Sequence, residues 1–247
     1  MFAYQDSLGG VEVAFTDRHG GTSGGPYASL NLATGRGDDR ADGVEANLAL
    51  VTSAFTEPAT EGVVWRMHQV HGADVAVVDE VAAQGEPPAV DALVTALPGV
   101  VLLVRVADCV PVLLADPDAG VVGAAHAGRP GMVAGVVPRT VEAMRALGAT
   151  RLRAWVGPHV CGGCYEVPEQ MRAEVCTVVP QAWAQTTWGT PALDIGAGVR
   201  AQLDDLGVDG VDVEVSDRCT LEDEDLYSYR RQGRESGRLG GLVWVRP

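Results

Sequence analysis

A close succession of apolar, strand-like runs between residues 91 and 125 is the feature that most constrains how this chain can fold. Pro98-Gly99, Asp116-Pro117-Asp118 and Gly120 separate the runs from one another. Near-continuous apolar strands of this kind are typical of a sheet that is buried on both faces. The centre of the chain therefore predicts a buried sheet, with the remaining elements layered around it.

The rest of the chain alternates between short Val-rich runs and helical stretches. Val44, Leu48 and Val51 recur at spacings of four and three, which places them on one face of a helix over 39–55. Further strands are predicted over 11–16, 63–66, 75–78, 151–156, 211–215 and 241–245, and further helices over 132–147, 168–178 and 194–206. Because no linker is long enough to divide the 247 residues, we expect a single α/β domain over 1–247, with a mixed β-sheet layered with α-helices.

The charge of the chain limits its partners. Its 33 acidic and 18 basic residues give a net charge of -15, which opposes binding to nucleic acids or anionic membranes. The longest aliphatic run, over 100–104, is far shorter than the roughly 20 residues of a transmembrane helix, and no secretory signal is apparent. We therefore expect a cytoplasmic protein that binds neither nucleic acids nor membranes. We expect it to be a monomer or a small homo-oligomer.

Three residues, His71, Cys109 and His126, carry most of the chemistry, and each lies at the end of an apolar run. Two imidazoles and a thiol are a natural ligand set for zinc, with a fourth position left for water or substrate. The same residue types also build Cys-His nucleophilic sites. Two neighbouring features favour a site over a structural role: Asp108 interrupts an apolar run, and Gly128 would let a ligand approach the backbone.

The other histidines and cysteines are weaker candidates. His71 is preferred to His68 because residues three apart do not share a face of a strand, and Gly72 marks a turn after His71. Cys161 and Cys164 form a C-x-x-C element, which is typical of a redox pair, of half a zinc site or of a structural turn. The other three cysteines are dispersed along the chain. The chain has five cysteines in all, and this odd number does not favour a disulfide framework.

Several short motifs occur along the chain in a fixed order. They are Arg18-His19-Gly20-Gly21-Thr22-Ser23, Ser29-Leu30-Asn31-Leu32, Gln69-Val70-His71-Gly72, Ala107-Asp108-Cys109-Val110-Pro111, His126-Ala127-Gly128, Gly157-Pro158-His159, Cys164-Tyr165-Glu166-Val167, Cys219-Thr220 and Tyr227-Ser228-Tyr229-Arg230-Arg231. Together they resemble the bacterial laccase-domain proteins, which were first labelled multicopper polyphenol oxidoreductases and later recognised as purine nucleoside phosphorylases. The resemblance runs almost from end to end of the chain.

The resemblance implies that His71, Cys109 and His126 bind one catalytic Zn²⁺, with Cu²⁺ as the alternative metal. It also implies phosphorolysis of adenosine, inosine and methylthioadenosine to the free base and ribose 1-phosphate, with adenosine deamination as a side activity. The implied fold is a single mixed α/β domain that is shared with cysteine-hydrolase-like toxins.

Each candidate residue then has an expected role. Cys109 would be a metal ligand and not a nucleophile, because coordination to zinc removes its proton. Asp108 and Glu166 are candidates for the proton carrier, and either Arg129 or Arg230 would supply the cation that binds phosphate. The predicted substrate contacts are Asn31, Asn47, Arg129, Tyr165 and Arg230.

The chain departs from the family pattern at two places. The family commonly has Gly-Trp-Arg-Gly after the third ligand, where this chain has Gly128-Arg129-Pro130-Gly131. The family often has Asn-Arg in the first long helix, where this chain has Asn47-Leu48. Both departures concern the predicted substrate contacts, whereas the metal ligands match.

Three other functions stay open at this point. The first is metal-free Cys-His hydrolysis with Cys109 as the nucleophile, in the manner of a peptidoglycan-editing amidase. The second is copper-dependent oxidation of phenols by a laccase (polyphenol oxidase), which a chain with only five histidines does not favour. The third is a non-enzymatic role, in which the site only stabilises a binding module.

Overall fold

The computed structural model describes residues 1–33, 41–56, 62–208 and 212–247, which form a single mixed α/β domain. Its strands are β1 (Phe2–Leu8), β2 (Val11–Thr16), β3 (Val63–Arg66), β4 (Val75–Val78), β5 (Ala92–Thr95), β6 (Val100–Val106), β7 (Val110–Asp116), β8 (Val121–Ala127), β9 (Arg153–Val156), β10 (Trp183–Gln185), β11 (Pro191–Leu193), β12 (Val213–Val215) and β13 (Leu239–Val245). Its helices are α1 (Ala41–Phe55), α2 (Arg129–Ala134), α3 (Val136–Ala146), α4 (Glu169–Val178), α5 (Ile195–Asp205) and α6 (Tyr229–Gln232).

Two mixed sheets form the body of the domain. One has five strands in the order β1-β2-β13-β6-β3, and the other has six in the order β12-β9-β7-β8-β5-β4. Apolar residues of both sheets share one buried cluster, so the sheets pack against each other. Helix α1 covers the outer face of the five-stranded sheet, whereas α3, α4 and α5 cover that of the six-stranded sheet. The predicted mixed α/β class is therefore confirmed, and the likeness to cysteine-hydrolase toxins stays a prediction.

The central strands are buried on both faces, as their apolar runs predict. In β6, Leu102 and Val104 face the other sheet, whereas Val101 and Leu103 pack toward α1. In β7, Leu113 faces the other sheet and its neighbours pack against the helices. Successive side chains of a strand point to opposite faces, so a strand between two apolar layers needs apolar residues at nearly every position.

The predicted continuous helix over 132–147 is wrong. Gly135 divides it into α2 and α3, because this residue adopts a left-handed conformation with φ 84° and ψ 39°. Glycine adopts this conformation without the steric cost that a Cβ would add. Strands β1, β10 and β11 and helix α6 were not predicted, since none of them carries a long periodic apolar pattern. Residues 39, 40 and 211 of the predicted elements lie outside the described residues.

In the described part of the chain, no helix combines the length and the apolar character needed to cross a bilayer. All five cysteines are free thiols.

Asp116, at the end of β7, gives the fold a pH-dependent anchor. Its buried carboxylate accepts hydrogen bonds from the backbone N–H groups of Asp118 (3.1 Å), Ala119 (3.0 Å), Thr150 (2.6 Å) and Arg151 (2.8 Å). Burial raises the pKa of Asp116, but these four donors outweigh it and hold the pKa below its usual value. The stability that this carboxylate contributes is therefore present above the unfolded-state pKa of about 3.9, and it is lost as the pH falls through the lower folded-state pKa.

We expect Asp116→Asn to lower the free energy of unfolding by about 2–4 kcal/mol at pH 7, because an amide has one acceptor oxygen in place of two and no charge. The difference from the wild type should shrink in acid, where the wild-type carboxyl also becomes protonated. Urea unfolding at pH 7 and at pH values below 4 measures both effects. Asp118→Asn is the matched control, since that side chain is exposed, and equal losses in the two variants would contradict the assignment.

Candidate metal centre

His71, Cys109 and His126 meet at one edge of the six-stranded sheet. Cys109 directly precedes β7, and antiparallel pairing aligns the start of β7 with the end of β8, where His126 lies. Strand β5 runs antiparallel to β8 and parallel to β4, so the start of β4, just after His71, reaches the same edge. The ligand atoms of the three residues lie within 4.8 Å of one another. The structure therefore brings together the three residues that the sequence singles out, and among the described histidines it is His71 and not His68 that joins the cluster.

The backbone around this cluster is unusual in three places. His71 has φ 61° and Asp108 has φ 86°, a left-handed region that residues other than glycine seldom adopt. Such strained residues concentrate at functional sites and cost about 1–3 kcal/mol each. At Gly128, a Cβ would lie 2.7 Å from His71 Cδ2 and 3.2 Å from Cys109 Sγ. Only glycine therefore fits beside the two ligands.

A buried carboxylate, Asp91, holds two of the three ligands in place. His126 Nδ1 donates to Asp91 Oδ1 at 2.8 Å, and the backbone N–H of His71 donates to the same oxygen at 2.9 Å. The N–H groups of Val70 (3.2 Å) and Gly72 (2.6 Å) donate to Oδ2. A proton on Nδ1 leaves Nε2 of His126 as its free ligand atom. Carboxylates that orient histidine ligands in this way are a regular part of zinc sites.

Sequence reasoning missed Asp91. The signal that could have found it is an acidic residue placed directly before the wholly apolar strand β5, where burial alone would disfavour a carboxylate.

In the metal-free cluster, the two neighbouring groups Cys109 and His126 shift each other's pKa values in opposite directions. Burial raises the pKa of the Cys109 thiol, but the adjacent His126 and His71 outweigh it, so the net pKa is lowered. Burial lowers the pKa of His126, but Cys109 and Asp91 outweigh it, so the net pKa is raised. Cys109 Sγ lies 3.8 Å from His71 Nε2, and the two imidazole rings meet edge to face with centroids 4.7 Å apart.

This donor set fits a zinc ion. One sulfur and two imidazole nitrogens converge within 4.8 Å, and the stabilised thiolate is the form in which cysteine binds metals. The left-handed backbone at His71 and Asp108 is a cost that a purely structural Cys-His contact does not need. The same ligands also suit other transition metals, so the geometry supports metal binding without fixing which ion is bound.

Asp108 connects the centre to the carboxyl-terminal part of the chain. The Thr220 hydroxyl donates to its Oδ1 at 2.7 Å, and the backbone N–H of Arg230 donates to its Oδ2 at 2.7 Å. The N–H of Val160 donates to its carbonyl oxygen at 3.0 Å. Both carboxylate oxygens are thus engaged in holding neighbouring loops, which supports a positioning role beside Cys109.

Arg230 and Glu166, predicted for phosphate binding and proton transfer, line one cleft of about 580 Å³. The Arg230 guanidinium lies 4.4 Å from the centroid of the Tyr165 ring. The Trp188 indole donates to Glu166 Oε2 at 2.7 Å. Because Asp108 holds the backbone of Arg230, the cleft and the metal centre are neighbours, although none of the three metal ligands lines the cleft.

The two predicted asparagine contacts have buried structural roles. Asn31 Oδ1 accepts from the backbone N–H groups of Ala33 (2.9 Å) and Arg238 (2.8 Å). Asn47 Nδ2 donates to Ser23 Oγ (2.9 Å) and to the carbonyl oxygen of Asn31 (3.0 Å). Both side chains are committed to contacts within the protein, and this geometry does not support a direct contact with substrate.

The two departures from the family pattern fall at ordinary structural positions. Arg129 and Pro130 begin α2 directly after Gly128, where the missing N–H of a proline breaks no helical hydrogen bond. Arg129 is thereby kept beside the metal centre as a candidate phosphate contact. Leu48 packs against the apolar cluster between α1 and the five-stranded sheet.

Comparisons with known proteins identify the family of the chain. Residues 12–246 match the family described as multi-copper polyphenol oxidoreductase laccase. A purine nucleoside phosphorylase of Streptomyces coelicolor is 56% identical over 248 residues, covering 99% of this chain and 100% of the relative. Another from Streptomyces griseus is 58% identical over 241 residues, covering 96% and 95%.

Solved structures have the same fold. A Neisseria meningitidis protein of the DUF152 family superposes with a TM-score of 0.85 at 31% identity, covering 99% of each chain. YlmD from Geobacillus stearothermophilus also gives a TM-score of 0.85, at 32% identity, covering 96% of this chain and 93% of its own.

Proposed function

Since the chain belongs to the multi-copper polyphenol oxidoreductase laccase family, we propose that it is a zinc-dependent purine nucleoside phosphorylase. The single observation that carries the proposal is the convergence of His71, Cys109 and His126 on one point, with Asp91 behind two of them. The names of the Streptomyces relatives supply the reaction class. The substrates would be inorganic phosphate and a purine nucleoside such as adenosine, inosine or methylthioadenosine.

In this reaction, an oxygen of phosphate forms a bond to the anomeric carbon of the sugar while the bond from that carbon to the purine nitrogen breaks. The bonding electrons pass to the purine, which takes up a proton and leaves as the free base together with ribose 1-phosphate. His71, Cys109 and His126 would hold the zinc ion, and when bound the metal supplies positive charge that stabilises negative charge developing in the site.

The chain's own residues would bind and orient the substrates. Arg230 presents a guanidinium suited to phosphate oxygens, and its place is fixed by the Tyr165 ring and by the bond from its backbone to Asp108. Arg129 offers a second cation directly after Gly128. Glu166 is an exposed carboxyl group of the adjoining cleft and is our candidate for the proton carrier, because the other one, Glu169, pairs with Arg172.

Adenosine deamination is proposed as a side activity. Water would add at C6 of the purine, the amino group would leave as ammonia, and inosine would result. The same metal centre would serve both reactions. In other zinc enzymes that act on nucleobases, a carboxyl group close to the metal moves the proton.

The test is the release of adenine from adenosine, measured by chromatography after reactions with and without phosphate. We expect adenine and ribose 1-phosphate to appear only when phosphate is present. We also expect at least one zinc ion per chain in the purified protein and loss of activity after treatment with a strong chelator. Adenine release without phosphate would instead indicate a hydrolase. Oxidation of phenols by the protein only after it has been loaded with copper would favour the hypothesis of a laccase.

The metal-free Cys-His hydrolase has one observation in its favour, the lowered pKa of Cys109 beside His126. This hypothesis predicts that the enzyme keeps its full activity after treatment with a chelator and that iodoacetamide inactivates it. Cys176→Ser serves as a control for alkylation outside the metal centre, because this partly buried thiol lies on α4.

A further inference from the structure

A second group of potential metal ligands, outside the His71 centre, consists of Cys161, Cys164, Cys219 and Glu222. Their three sulfur atoms and one carboxylate oxygen lie within 4.8 Å of one another. We infer that this group, the cysteine cluster, binds a second zinc ion that fastens the loops next to the proposed catalytic centre. The inference goes beyond the proposed function and does not depend on it.

The sheet explains why residues so far apart in sequence meet here. Strands β9 and β12 pair in parallel, with Val156 opposite Val215. Parallel strands end at the same edge of a sheet, so the segments that follow them leave side by side. Cys161 lies a few residues after β9 and Cys219 a few residues after β12, and an isolated bridge between His159 and Cys219 continues the pairing. Cys219, which is remote from the C-x-x-C element in sequence, is therefore adjacent to it in the fold.

The local backbone has the form that thiolate ligands require. The N–H groups of Cys164 and Tyr165 donate to the carbonyl oxygen of Cys161 at 3.0 Å and 3.0 Å, which closes the C-x-x-C segment into a tight turn. The N–H of Cys161 points to Cys219 Sγ at 3.4 Å. At Gly162, a Cβ would lie 2.8 Å from Asp194 Cβ, so the turn accepts only glycine there without a shift. Backbone donors directed at sulfur stabilise the charge of metal-bound thiolates.

The donor set selects the kind of ion. Three sulfurs and one carboxylate oxygen suit zinc, whereas calcium and magnesium prefer oxygen ligands. Zinc–sulfur bonds of about 2.3 Å in a tetrahedron place the sulfurs about 3.8 Å apart, so the observed spread needs only a small contraction. Cys164 and Cys219 are buried, whereas Glu222 is exposed. The site is thus closed toward the protein and completed from the solvent side, as expected of a structural site.

The cysteine cluster is adjacent to the parts that organise the catalytic centre. Thr220, next to Cys219, donates to Asp108 Oδ1 at 2.7 Å. Tyr165, next to Cys164, lies under the Arg230 guanidinium. A metal ion here would tie both segments to one point, and through them it would position Asp108 and Arg230.

The test is the zinc content of the full-length protein, purified under reducing conditions and measured by mass spectrometry against protein concentration. We expect about two zinc ions per chain in the wild type and about one in Cys161→Ser and in Cys219→Ser, each of which loses one thiolate ligand. Cys176→Ser is the matched control and should keep both ions. Cys109→Ala should lose the other ion, so failure of the proposed function and failure of this inference give different results.

Cobalt(II) gives a readout that does not depend on activity. Cys109→Ala loaded with cobalt should still show the intense near-ultraviolet charge-transfer band of thiolate-bound cobalt. The double variant that carries both Cys109→Ala and Cys161→Ser should lack that band. If the serine variants do not fold, a second measurement is used in their place. The folded Cys109→Ala protein is titrated with a mercurial reagent, which binds thiolates, and the zinc that is released is measured. No zinc and no cobalt band in Cys109→Ala, or a Cys161–Cys164 disulfide in place of free thiols, would overturn the inference.

Discussion

Replacing Cys109 with alanine is expected to remove one zinc ion per chain and to abolish phosphate-dependent release of adenine, while the far-ultraviolet circular dichroism stays nearly unchanged. The thiol is one of three donors that converge at the edge of the sheet, and a catalytic zinc site with three protein ligands is expected to bind its ion far more weakly with only two. The side chain is small and only partly buried, so its loss should leave the surrounding strands intact. Metal analysis, the adenine assay and circular dichroism on one preparation measure all three effects.

Cys176→Ala is the matched control for this variant, because it makes the same substitution at a partly buried thiol on α4. It should keep its zinc and its activity. Normal phosphorolysis by Cys109→Ala would contradict the proposed function, because the metal centre would then not be needed for the reaction. Loss of the native circular dichroism spectrum would instead indicate that the centre serves only to stabilise the fold.

The sequence could single out His71, Cys109 and His126 as candidate metal ligands because each of them lies in a short motif at the end of an apolar run. The sequence did not show how the ligands meet, since this depends on β4, β5, β7 and β8 being neighbours in one sheet. Asp91 was missed for a related reason. Its position before the apolar strand β5 marks it as unusual, but its partners are backbone groups of the loop before β4 and the imidazole of His126, which are remote in sequence.

The cysteine cluster shows the same limit more strongly. The C-x-x-C element is local and was recognised, but its third cysteine arrives through the parallel pairing of β9 with β12. For Asn31 and Asn47, the contacts of the side chains within the protein could not be predicted from the motifs. Their motifs resemble the family pattern, but the structure uses the two side chains to hold loops together. A motif therefore identifies which residues matter here more reliably than it identifies what each of them does.

Asp91→Asn is expected to weaken zinc binding by about 10–100-fold, the usual effect of removing the partner of a histidine ligand. The wild-type carboxylate accepts from His126 Nδ1 at 2.8 Å and from the N–H groups of His71 (2.9 Å) and Gly72 (2.6 Å). Each carboxylate oxygen accepts from two N–H donors, and an amide has only one acceptor oxygen, so its NH₂ group must face two of the four donors. The variant should therefore leave a buried donor unpaired, and we expect the free energy of unfolding to fall by about 3 kcal/mol.

Competition with a chromophoric chelator measures the zinc affinity of the variant, and urea unfolding of the metal-free protein separates the loss of stability from the loss of metal. Asp74→Asn is the matched control, because the Asp74 side chain is 77% exposed and pairs only with the exposed Arg139 among the described residues. That variant should stay within about 0.5 kcal/mol of the wild type and keep its zinc affinity. Unchanged zinc affinity in Asp91→Asn would mean that His126 is oriented by the packing of β8 alone and that the carboxylate stabilises the loop before β4 without tuning the metal ligand.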